Sequence, residues 1–534
     1  MNSLEKSTDP LSALNTIFGF QAFRGLQEQA IRSIINGEDV LLLMPTGGGK
    51  SLCYQLPSLC RKGIGLVISP LIALMNDQVA SLRQLGVNAG ALHSEIGLEE
   101  ISQIQHSIIH GDLKILYISP ERLGTESMLA TLKRSRLAVI AIDEAHCVSL
   151  WGHDFRPEYR LMNNLENLFP KVPRIALTAT ADPATQADIL TALSMPKAKI
   201  YKKSFHRSNL FIRAVPKTSE TKQLLEIISQ FSNQTSIIYC GSRKKAERTA
   251  LRLVNHGLNA LAYHAGLSSL EKKTALLRFR SGEPLIVVAT VAFGMGIDRP
   301  NVRLVVHLDM PKGPEHYYQQ IGRAGRDGDR ADAILLYSGE DFAKARYWID
   351  HSELSDQQKK LSFNRLEMMI NFVETTQCRH QVLLSCFGET MPNPCGHCDN
   401  CKHPPILLSG TVAAQKVLSA VYRTGQCFGA LHIINVLRGL KNNYILNYRH
   451  DRLSLFGIGN ENSVNFWKTI IRRLLADDVL RQGIERSNFF LNKEKALPLL
   501  KGEKELFIKN NLETYNFSKL SEAKQSSLSS EQQA

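Results

Sequence analysis

A glycine-rich segment offers the clearest chemistry in the sequence. The run Pro45-Thr46-Gly47-Gly48-Gly49-Lys50-Ser51 follows the apolar stretch 40–44 and opens directly into a helical pattern. Successive glycines let backbone N–H groups curve around phosphates, Lys50 supplies a positive charge for the β- and γ-phosphates, and the Ser51 hydroxyl can ligate Mg²⁺. The leading glycine of the general motif is missing, but the position between strand and helix favours nucleotide binding over an ordinary tight turn.

A second polar group follows another apolar stretch. Asp143-Glu144-Ala145-His146 ends the run LAVIAI at 137–142. A carboxylate at the carboxyl end of a buried parallel strand faces the ligand crevice, where Asp143 can hold Mg²⁺ and Glu144 can orient or deprotonate an attacking water. Alone, this short polar segment would more simply be a surface turn; together with the glycine-rich run it predicts nucleotide hydrolysis.

Half of the ten cysteines fall within 24 residues. Cys378, Cys395, Cys398 and Cys401 supply four thiolates, enough for a closed tetrahedral Zn²⁺ site. An iron–sulfur cluster uses the same ligand type and is the alternative. Cys386 is interpreted as a packed thiol rather than a fifth ligand.

These residues require parallel sheets to position them. Short Val/Ile/Leu runs alternate with helical patterns at 40–44, 65–69, 115–119, 137–142 and 174–178, and again at 236–240, 285–290, 303–308 and 332–337. Near-continuous apolar runs of this kind indicate parallel strands covered on both faces. The sequence therefore predicts an α/β protein with two sheet lobes, joined near 200–220.

Length, composition and charge narrow the class of protein. The chain has 534 residues, 43% of them hydrophobic and 21% charged, which is ordinary globular composition. No apolar run reaches the length of a membrane span, and the N-terminus lacks a signal-peptide pattern, so a cytoplasmic protein without a membrane partner is expected.

The charge of the chain is unevenly distributed. The net charge is +14, and residues 402–510 hold 17 Lys and Arg against 8 Asp and Glu. This excess predicts a nucleic-acid surface there.

Beyond these patterns, the chain resembles the RecQ-type DNA helicases of helicase superfamily 2. The resemblance runs from about Phe18 to Gly502 and rests on strings that occur in the family's order: FRGLQEQAI, SPLIALMNDQV, DEAHCVSLWGHDFRPEY, LTATAD, YCGSRKKAE, YHAGL, VVATVAFGMGIDRPNVR and YYQQIGRAGRDG. The string that begins DEAHC is highly specific for this family. Near 205 the chain has Phe-His-Arg-Ser-Asn where relatives often have Phe-Asp-Arg-Pro-Asn.

The resemblance implies a domain order. Residues 1–205 would form a RecA-like, ATP-binding lobe and 206–341 a second RecA-like lobe. A helical zinc-binding subdomain would follow at 342–405 and a winged-helix DNA-binding domain at 406–510. In that last domain, three helical patterns precede a hairpin predicted around 485–488. Residues 511–534 are predicted to be disordered, because few of them are apolar.

The resemblance also implies roles for individual residues. Phe20, Arg24 and Gln27 would recognise adenine. Arg326 would be an arginine finger, and Arg323 a further phosphate contact. Residues assigned to coupling between ATP and DNA are His146, Trp151, Phe155, Arg156, Thr178 and Thr180.

Some of these assignments have simpler alternatives. The aromatic loop would couple by stacking Trp151 and Phe155 on unpaired bases, or its aromatic side chains would merely be buried. Lys468, Arg472 and Arg473 are candidates for phosphate contacts, the alternative being a solvated cationic helix face.

The resulting hypothesis is an ATP- and Mg²⁺-dependent 3′ to 5′ DNA helicase of repair and recombination that contains Zn²⁺. Its expected partners are single-stranded and duplex DNA, with single-strand-binding and recombination proteins as candidate protein partners. The enzymatic alternatives are an RNA helicase and a duplex translocase that does not separate strands. A regulator with a degenerate nucleotide site is the non-enzymatic alternative, disfavoured because Lys50, Ser51, Asp143, Glu144 and Arg326 are all present.

Overall fold

The architecture described here is that of a computed structural model. It describes residues 9–45, 47–149, 156–294, 299–483 and 488–509. Trp151 and Phe155 of the coupling loop lie outside the described residues, as does the predicted tail. Within these ranges, no helix is both long enough and apolar enough to cross a membrane.

The first lobe is a seven-stranded parallel sheet in the order β3-β4-β2-β5-β6-β1-β7. Its strands are β1 (Val40–Leu43), β2 (Ile64–Ile68), β3 (Ala89–Leu92), β4 (Ile115–Ile118), β5 (Leu137–Ile142), β6 (Arg174–Thr178) and β7 (Lys199–Lys202). Its helices are α1 (Pro10–Phe18), α2 (Gln27–Ile35), α3 (Leu52–Cys60), α4 (Ile72–Gln84), α5 (Leu98–His110), α6 (Pro120–Leu123), α7 (Glu126–Lys133), α8 (Leu165–Leu168) and α9 (Pro183–Ala192). Two 3₁₀ segments, Ala145–Val148 and Pro157–Asn164, follow β5.

Both faces of this sheet are buried. Along β1, Leu41 and Leu43 belong to one hydrophobic cluster, whereas Val40 and Leu42 belong to another. Successive side chains of a strand point to opposite faces, so each cluster covers one face of the sheet. This explains why the central strands are continuous apolar runs.

The second lobe is a six-stranded parallel sheet in the order β10-β11-β9-β12-β13-β8. Its strands are β8 (Leu210–Pro216), β9 (Thr235–Tyr239), β10 (Ala260–Tyr263), β11 (Ile286–Ala289), β12 (Val302–His307) and β13 (Ala331–Tyr337). The helices between them are α10 (Glu220–Ser229), α11 (Arg243–Asn255), α12 (Ser269–Arg280) and α13 (Pro314–Ile321). The expected pair of parallel-sheet lobes is thereby confirmed.

A helical unit follows the second sheet and ends in the cysteine cluster. Its helices are α14 (Gly339–Asp350), α15 (Asp356–Glu374), α16 (Arg379–Ser385) and α17 (Asp399–Lys402). The Arg379 guanidinium donates to the Asp399 carboxylate at 2.7 Å, and both side chains are 1% exposed. Asp399 also accepts a hydrogen bond at 3.0 Å from the backbone N–H of Ala214 in β8. The buried Asp399 carboxylate therefore links this helical unit to β8 of the second sheet.

The last unit contains helices and two small antiparallel pairs. Its elements are β14 (Leu407–Ser409), α18 (Thr411–Arg423), α19 (Ala430–Arg438), α20 (Asn443–Asn447), a 3₁₀ turn at His450–Arg452, α21 (Val464–Ala476), β15 (Leu480–Gln482), β16 (Phe489–Leu491), α22 (Lys493–Leu500) and β17 (Phe507–Lys509). β14 pairs with β17, and β15 pairs with β16. The antiparallel pairing of β15 with β16, directly after α21 in the chain, agrees with the predicted hairpin, although residues 484–487 of its turn lie outside the described residues.

Candidate active site and metal centre

The glycine-rich loop connects the carboxyl end of β1 to α3. Gly47 and Gly49 have φ values of +82° and +76°, a region that side chains other than glycine rarely adopt. The Gly48 N–H donates to the Pro45 carbonyl at 3.0 Å, and the Lys50 ammonium donates to the Met44 carbonyl at 3.1 Å. The loop therefore curls in front of a helix N-terminus, an arrangement suited to an anion. Thr46 lies outside the described residues.

Gln27 joins the predicted adenine-recognition segment to this loop. Its amide oxygen accepts from the Arg24 backbone N–H at 2.8 Å, and its amide nitrogen donates to the Gly49 carbonyl at 3.2 Å. Gln27 is 4% exposed, whereas Phe20, just beyond α1, is 50% exposed. The segment 20–27 therefore combines an exposed aromatic ring with a buried amide that hydrogen-bonds to the phosphate loop.

The acidic pair lies where β5 ends. Asp143 is buried, and its carboxylate accepts from the Glu144 backbone N–H at 3.0 Å. Burial raises the pKa of Asp143, which the nearby Lys50 ammonium opposes. Burial in turn lowers the pKa of Lys50, opposed by the charges of Glu144 and Asp143. The two strand ends thus bring the phosphate-loop lysine and both carboxylates into one electrostatic cluster.

His146 connects the acidic pair to the end of β6. Its Nδ1 lies 2.9 Å from the Thr178 hydroxyl and 3.3 Å from a Glu144 carboxylate oxygen. The Thr178 hydroxyl donates to the Thr180 carbonyl at 3.1 Å, so it accepts from His146, whose proton must then be on Nδ1. Burial, followed by the charges around it, lowers the pKa of His146 to about 3, so the ring is neutral near pH 7.

The second lobe contributes an arginine to the same place. A β-carbon added to Gly47 would meet the Arg326 side chain at 3.4 Å. The positive charge of Arg326 also contributes to lowering the pKa of Lys50. Arg323 is 7% exposed and lies beside Tyr239 and Gly294, inside the second lobe. Arg326 is therefore the arginine that the structure brings to the loop, while Arg323 lies deeper in its own lobe.

Tyr159 and Arg156 support the acidic strand end. The Tyr159 hydroxyl donates to the Asp143 carbonyl at 3.2 Å, and Arg156 donates to the Pro70 carbonyl at 3.4 Å. Tyr159 was not among the predicted site residues, although it lies within the DEAHC string. From the sequence alone, Tyr159 could not be distinguished from a tyrosine that only packs in the core.

The four predicted cysteine ligands converge. The sulfur atoms of Cys378, Cys395, Cys398 and Cys401 all lie within 4.8 Å of one another, and those of Cys395 and Cys401 are 3.8 Å apart. A tetrahedral ion with Zn–S bonds of about 2.3 Å requires sulfur atoms about 3.8 Å apart. Four thiolates leave no open position, so the donor set fits structural zinc.

Backbone N–H groups surround these sulfur atoms. The N–H of Cys395 donates to Cys378 Sγ at 3.3 Å, and the N–H of Arg379 donates to Cys398 Sγ at 3.4 Å. The N–H of Cys398 donates to Cys395 Sγ at 3.2 Å. Such donors stabilise charge on sulfur and orient the ligands. Cys386 donates to the Val382 carbonyl at 3.3 Å and is absent from the cluster, in agreement with a packed thiol.

The three basic residues of α21 have different environments. Lys468 is exposed, and Arg473 is partly exposed and pairs with Asp477 at 3.0 Å. Arg472 instead pairs with Glu374 of α15 at 3.0 Å, with side chains that are 11% and 8% exposed, and it lies over the Tyr337 ring. The Arg472 guanidinium is therefore engaged in the contact between α15 and α21, which disfavours the predicted contact with DNA phosphate.

Comparison with known families agrees with this architecture. The chain matches models for a DEAD/DEAH box helicase at residues 24–189, a helicase conserved C-terminal domain at 219–328, a RecQ zinc-binding domain at 339–402 and an RQC domain at 404–516. It is also similar in fold to the helicase MrfA bound to DNA, with a TM-score of 0.54 at 18% identity, covering 69% of this chain and 57% of that one. The helicase Lhr of Mycobacterium smegmatis, bound to ssDNA and AMP-PNP, gives a TM-score of 0.51 at 18% identity, covering 92% and 62%.

Two curated bacterial proteins are much closer in sequence. The ATP-dependent DNA helicase RecQ of Haemophilus influenzae is 45% identical, covering 94% of this chain and 81% of that protein. The protein of the same description from Pasteurella multocida is 44% identical, covering 93% and 78%. These identities and the four matching family models, together with the two parallel sheets and the cysteine cluster, show that the chain belongs to the RecQ family of ATP-dependent DNA helicases.

Proposed function

We propose that this helicase hydrolyses ATP between its two lobes with Mg²⁺, moves 3′ to 5′ along DNA and separates strands during repair and recombination. The observation that carries the proposal is the contact between Arg326 of the second lobe and Gly47 of the phosphate loop. An arginine delivered across the cleft can act only when the lobes are together, so hydrolysis and lobe movement depend on each other. The polarity, and the recombination and single-strand-binding proteins as partners, rest on the family resemblance.

The residues on the first lobe fit the hydrolytic step. Lys50 would hold the β- and γ-phosphates, and the loop N–H groups would bind their oxygens. Glu144 would orient the attacking water or take its proton, while Arg326 would stabilise the charge that develops on the transferred phosphoryl group.

The donor set also fits magnesium. Mg²⁺ prefers oxygen ligands and keeps several waters, and the buried Asp143 carboxylate and the Ser51 hydroxyl are such donors beside the phosphate loop. When bound, Mg²⁺ neutralises phosphate charge.

Coupling to DNA would pass through His146. Its ring touches Glu144 at the end of β5 and Thr178 at the end of β6. Movement of the loop that follows, which contains Trp151 and Phe155, would therefore shift the water-orienting carboxylate. Bases stacking on that loop would supply the movement, with about 1 to 3 kcal/mol for each stacked base.

A strand-separation assay tests substrate and polarity together. Blunt duplexes and duplexes with a 3′ or a 5′ single-stranded tail, in DNA and in RNA, would be incubated with ATP and Mg²⁺. We expect separation of the 3′-tailed DNA only. Equal activity on the 5′-tailed duplex would contradict the polarity, and ATP turnover on every duplex without separation would indicate a translocase.

An RNA substrate is the second candidate. A mimivirus protein described as a putative ATP-dependent RNA helicase is 36% identical, covering 89% of this chain and 87% of that protein. Faster separation of 3′-tailed RNA than of 3′-tailed DNA would favour this candidate.

A further inference from the structure

Three histidines that are distant in sequence meet at the segment joining the two lobes. One ring nitrogen from each of His206, His380 and His397 lies within 4.8 Å of the others, and the ring centroids are 4.8 to 6.0 Å apart. His206 lies between β7 and β8, His380 in α16 and His397 between two cysteine ligands. The trio therefore joins the interlobe segment to the zinc-binding subdomain.

The hydrogen bonds fix which nitrogen carries the proton in two of the rings. His397 Nδ1 lies 2.7 Å from the Cys395 carbonyl, and His380 Nε2 lies 3.1 Å from the Leu210 carbonyl. A carbonyl only accepts, so each of these nitrogens must donate. The opposite nitrogens, Nε2 of His397 and Nδ1 of His380, consequently present lone pairs.

Metal-ligating histidines have this same arrangement. They usually donate the second ring N–H to a carbonyl or a carboxylate, which fixes the tautomer and aims the lone pair at the ion. Moreover, Nε2 of His206 and Nε2 of His397 are buried and have no hydrogen-bond partner within the part of the chain that the structure describes. Buried polar atoms of this kind are costly unless a ligand satisfies them.

The surroundings favour a cation. The Glu389 carboxylate accepts from the Phe205 backbone N–H at 2.9 Å, and its negative charge acts on His206. Cys378, which becomes a thiolate when it holds zinc, acts on both His206 and His380. Two sources of negative charge therefore act on His206, and one of them also acts on His380.

We propose that His206, His380 and His397 form a second metal site, for a divalent transition ion such as Zn²⁺, separate from the four thiolates. Imidazole nitrogens suit zinc, cobalt and nickel, and three of them leave a fourth position for water. Zn–N bonds of about 2.0 to 2.1 Å require nitrogens about 3.3 Å apart, so binding needs the nitrogens to approach one another by at most about 1.5 Å. The bound ion would hold the interlobe segment against the zinc-binding subdomain.

The number of metal ions on the intact protein tests the site. Full-length protein with its thiolate zinc in place would be incubated with excess Co²⁺, desalted and analysed by mass spectrometry for both metals. We expect about one Zn²⁺ and one Co²⁺ per chain, with weak cobalt absorption and no thiolate charge-transfer band. Wild-type protein that retains no Co²⁺ would overturn the proposal.

Variants identify the ligands. His206→Asn and His397→Asn should each lose the Co²⁺ and keep the Zn²⁺, whereas His256→Asn, an exposed histidine on the second lobe, should retain both. The retained zinc shows that the variant is folded. If His397→Asn disturbs the neighbouring thiolates, His206→Asn decides, because His206 is outside the cysteine segment. Full Co²⁺ binding by His206→Asn would also overturn the proposal.

Discussion

Arg326 and Gly47 lie against each other across the cleft between the two sheets. The φ of +82° at Gly47 disfavours a residue with a side chain there, and a β-carbon at this position would be in van der Waals contact with Arg326 Cγ at 3.4 Å. The glycine therefore serves both the curvature of the phosphate loop and the approach of the second lobe. This approach is the geometric basis for the prediction on Arg326 below.

Lys50→Ala should abolish ATP hydrolysis while leaving DNA binding near the wild-type level. The ammonium donates to the Met44 carbonyl and interacts with the two carboxylates, whereas the excess of basic residues lies in 402–510. ATPase assays and fluorescence anisotropy with labelled DNA measure the two properties separately. Near-normal ATP turnover would contradict the assignment of the phosphate loop.

Arg326→Ala should retain ATP binding but lower kcat by about 10³-fold or more, the typical contribution of an arginine finger. Nucleotide affinity and single-turnover hydrolysis would be compared with those of Arg252→Ala, an exposed arginine on the same lobe. A weakened affinity with an unchanged hydrolytic rate would instead mean that Arg326 binds the ground state.

Cys395→Ser should remove the zinc held by the thiolates and expose residues 342–402 to proteases. Zinc binding by four thiolates contributes on the order of 10 kcal/mol to folding, so an opened site leaves this helical unit marginal. Cys427→Ser, at an exposed cysteine outside the cluster, is the matched control. Iron in the wild-type protein, or unchanged zinc in Cys395→Ser, would contradict the assignment.

The basic residues of α21 should separate into two classes. Lys468→Glu and Arg473→Glu are expected to flatten the dependence of DNA affinity on salt, by about one unit of log–log slope for each lost phosphate contact. Arg472→Ala should keep the slope but destabilise the fold by about 3 to 5 kcal/mol, because it leaves Glu374 buried without its partner. Binding titrations over a salt series and denaturant unfolding distinguish them. An altered slope in Arg472→Ala alone would reverse the assignment.

Central strands could be predicted from the sequence and edge strands could not. The predicted limits of β5 and β6 agree with the structure, because strands buried on both faces are unbroken apolar runs. β7, with the sequence KIYK, was missed because it is largely exposed at an edge. β3 was missed because its short AGAL sequence contains Gly90, whose missing side chain makes room for Ile104.

The sequence also could not predict the environments of individual side chains. Arg472 and Arg473 are neighbours in one basic helix, and only the packing of α15 against α21 distinguishes the buried arginine from the partly exposed one. The three histidines lie at 206, 380 and 397, so no local pattern groups them. The cysteine cluster was predictable because three of its four ligands are close in sequence.

The last prediction concerns coupling through His146. His146→Ala should retain ATP binding, DNA affinity and most basal hydrolysis, but lose most of the stimulation by single-stranded DNA. The reason is that its neutral ring is the contact between Glu144 and the Thr178 hydroxyl, so its removal lets the carboxylate move independently of the adjoining strand. Trp151→Ala should share this phenotype, because Trp151 is proposed to stack on the DNA bases that move the loop.

A purely structural role for His146 would lower the melting temperature together with basal and stimulated hydrolysis. Melting curves beside ATPase rates with and without single-stranded DNA separate these outcomes, and a stable His146→Ala variant with full stimulation would show that coupling follows another route.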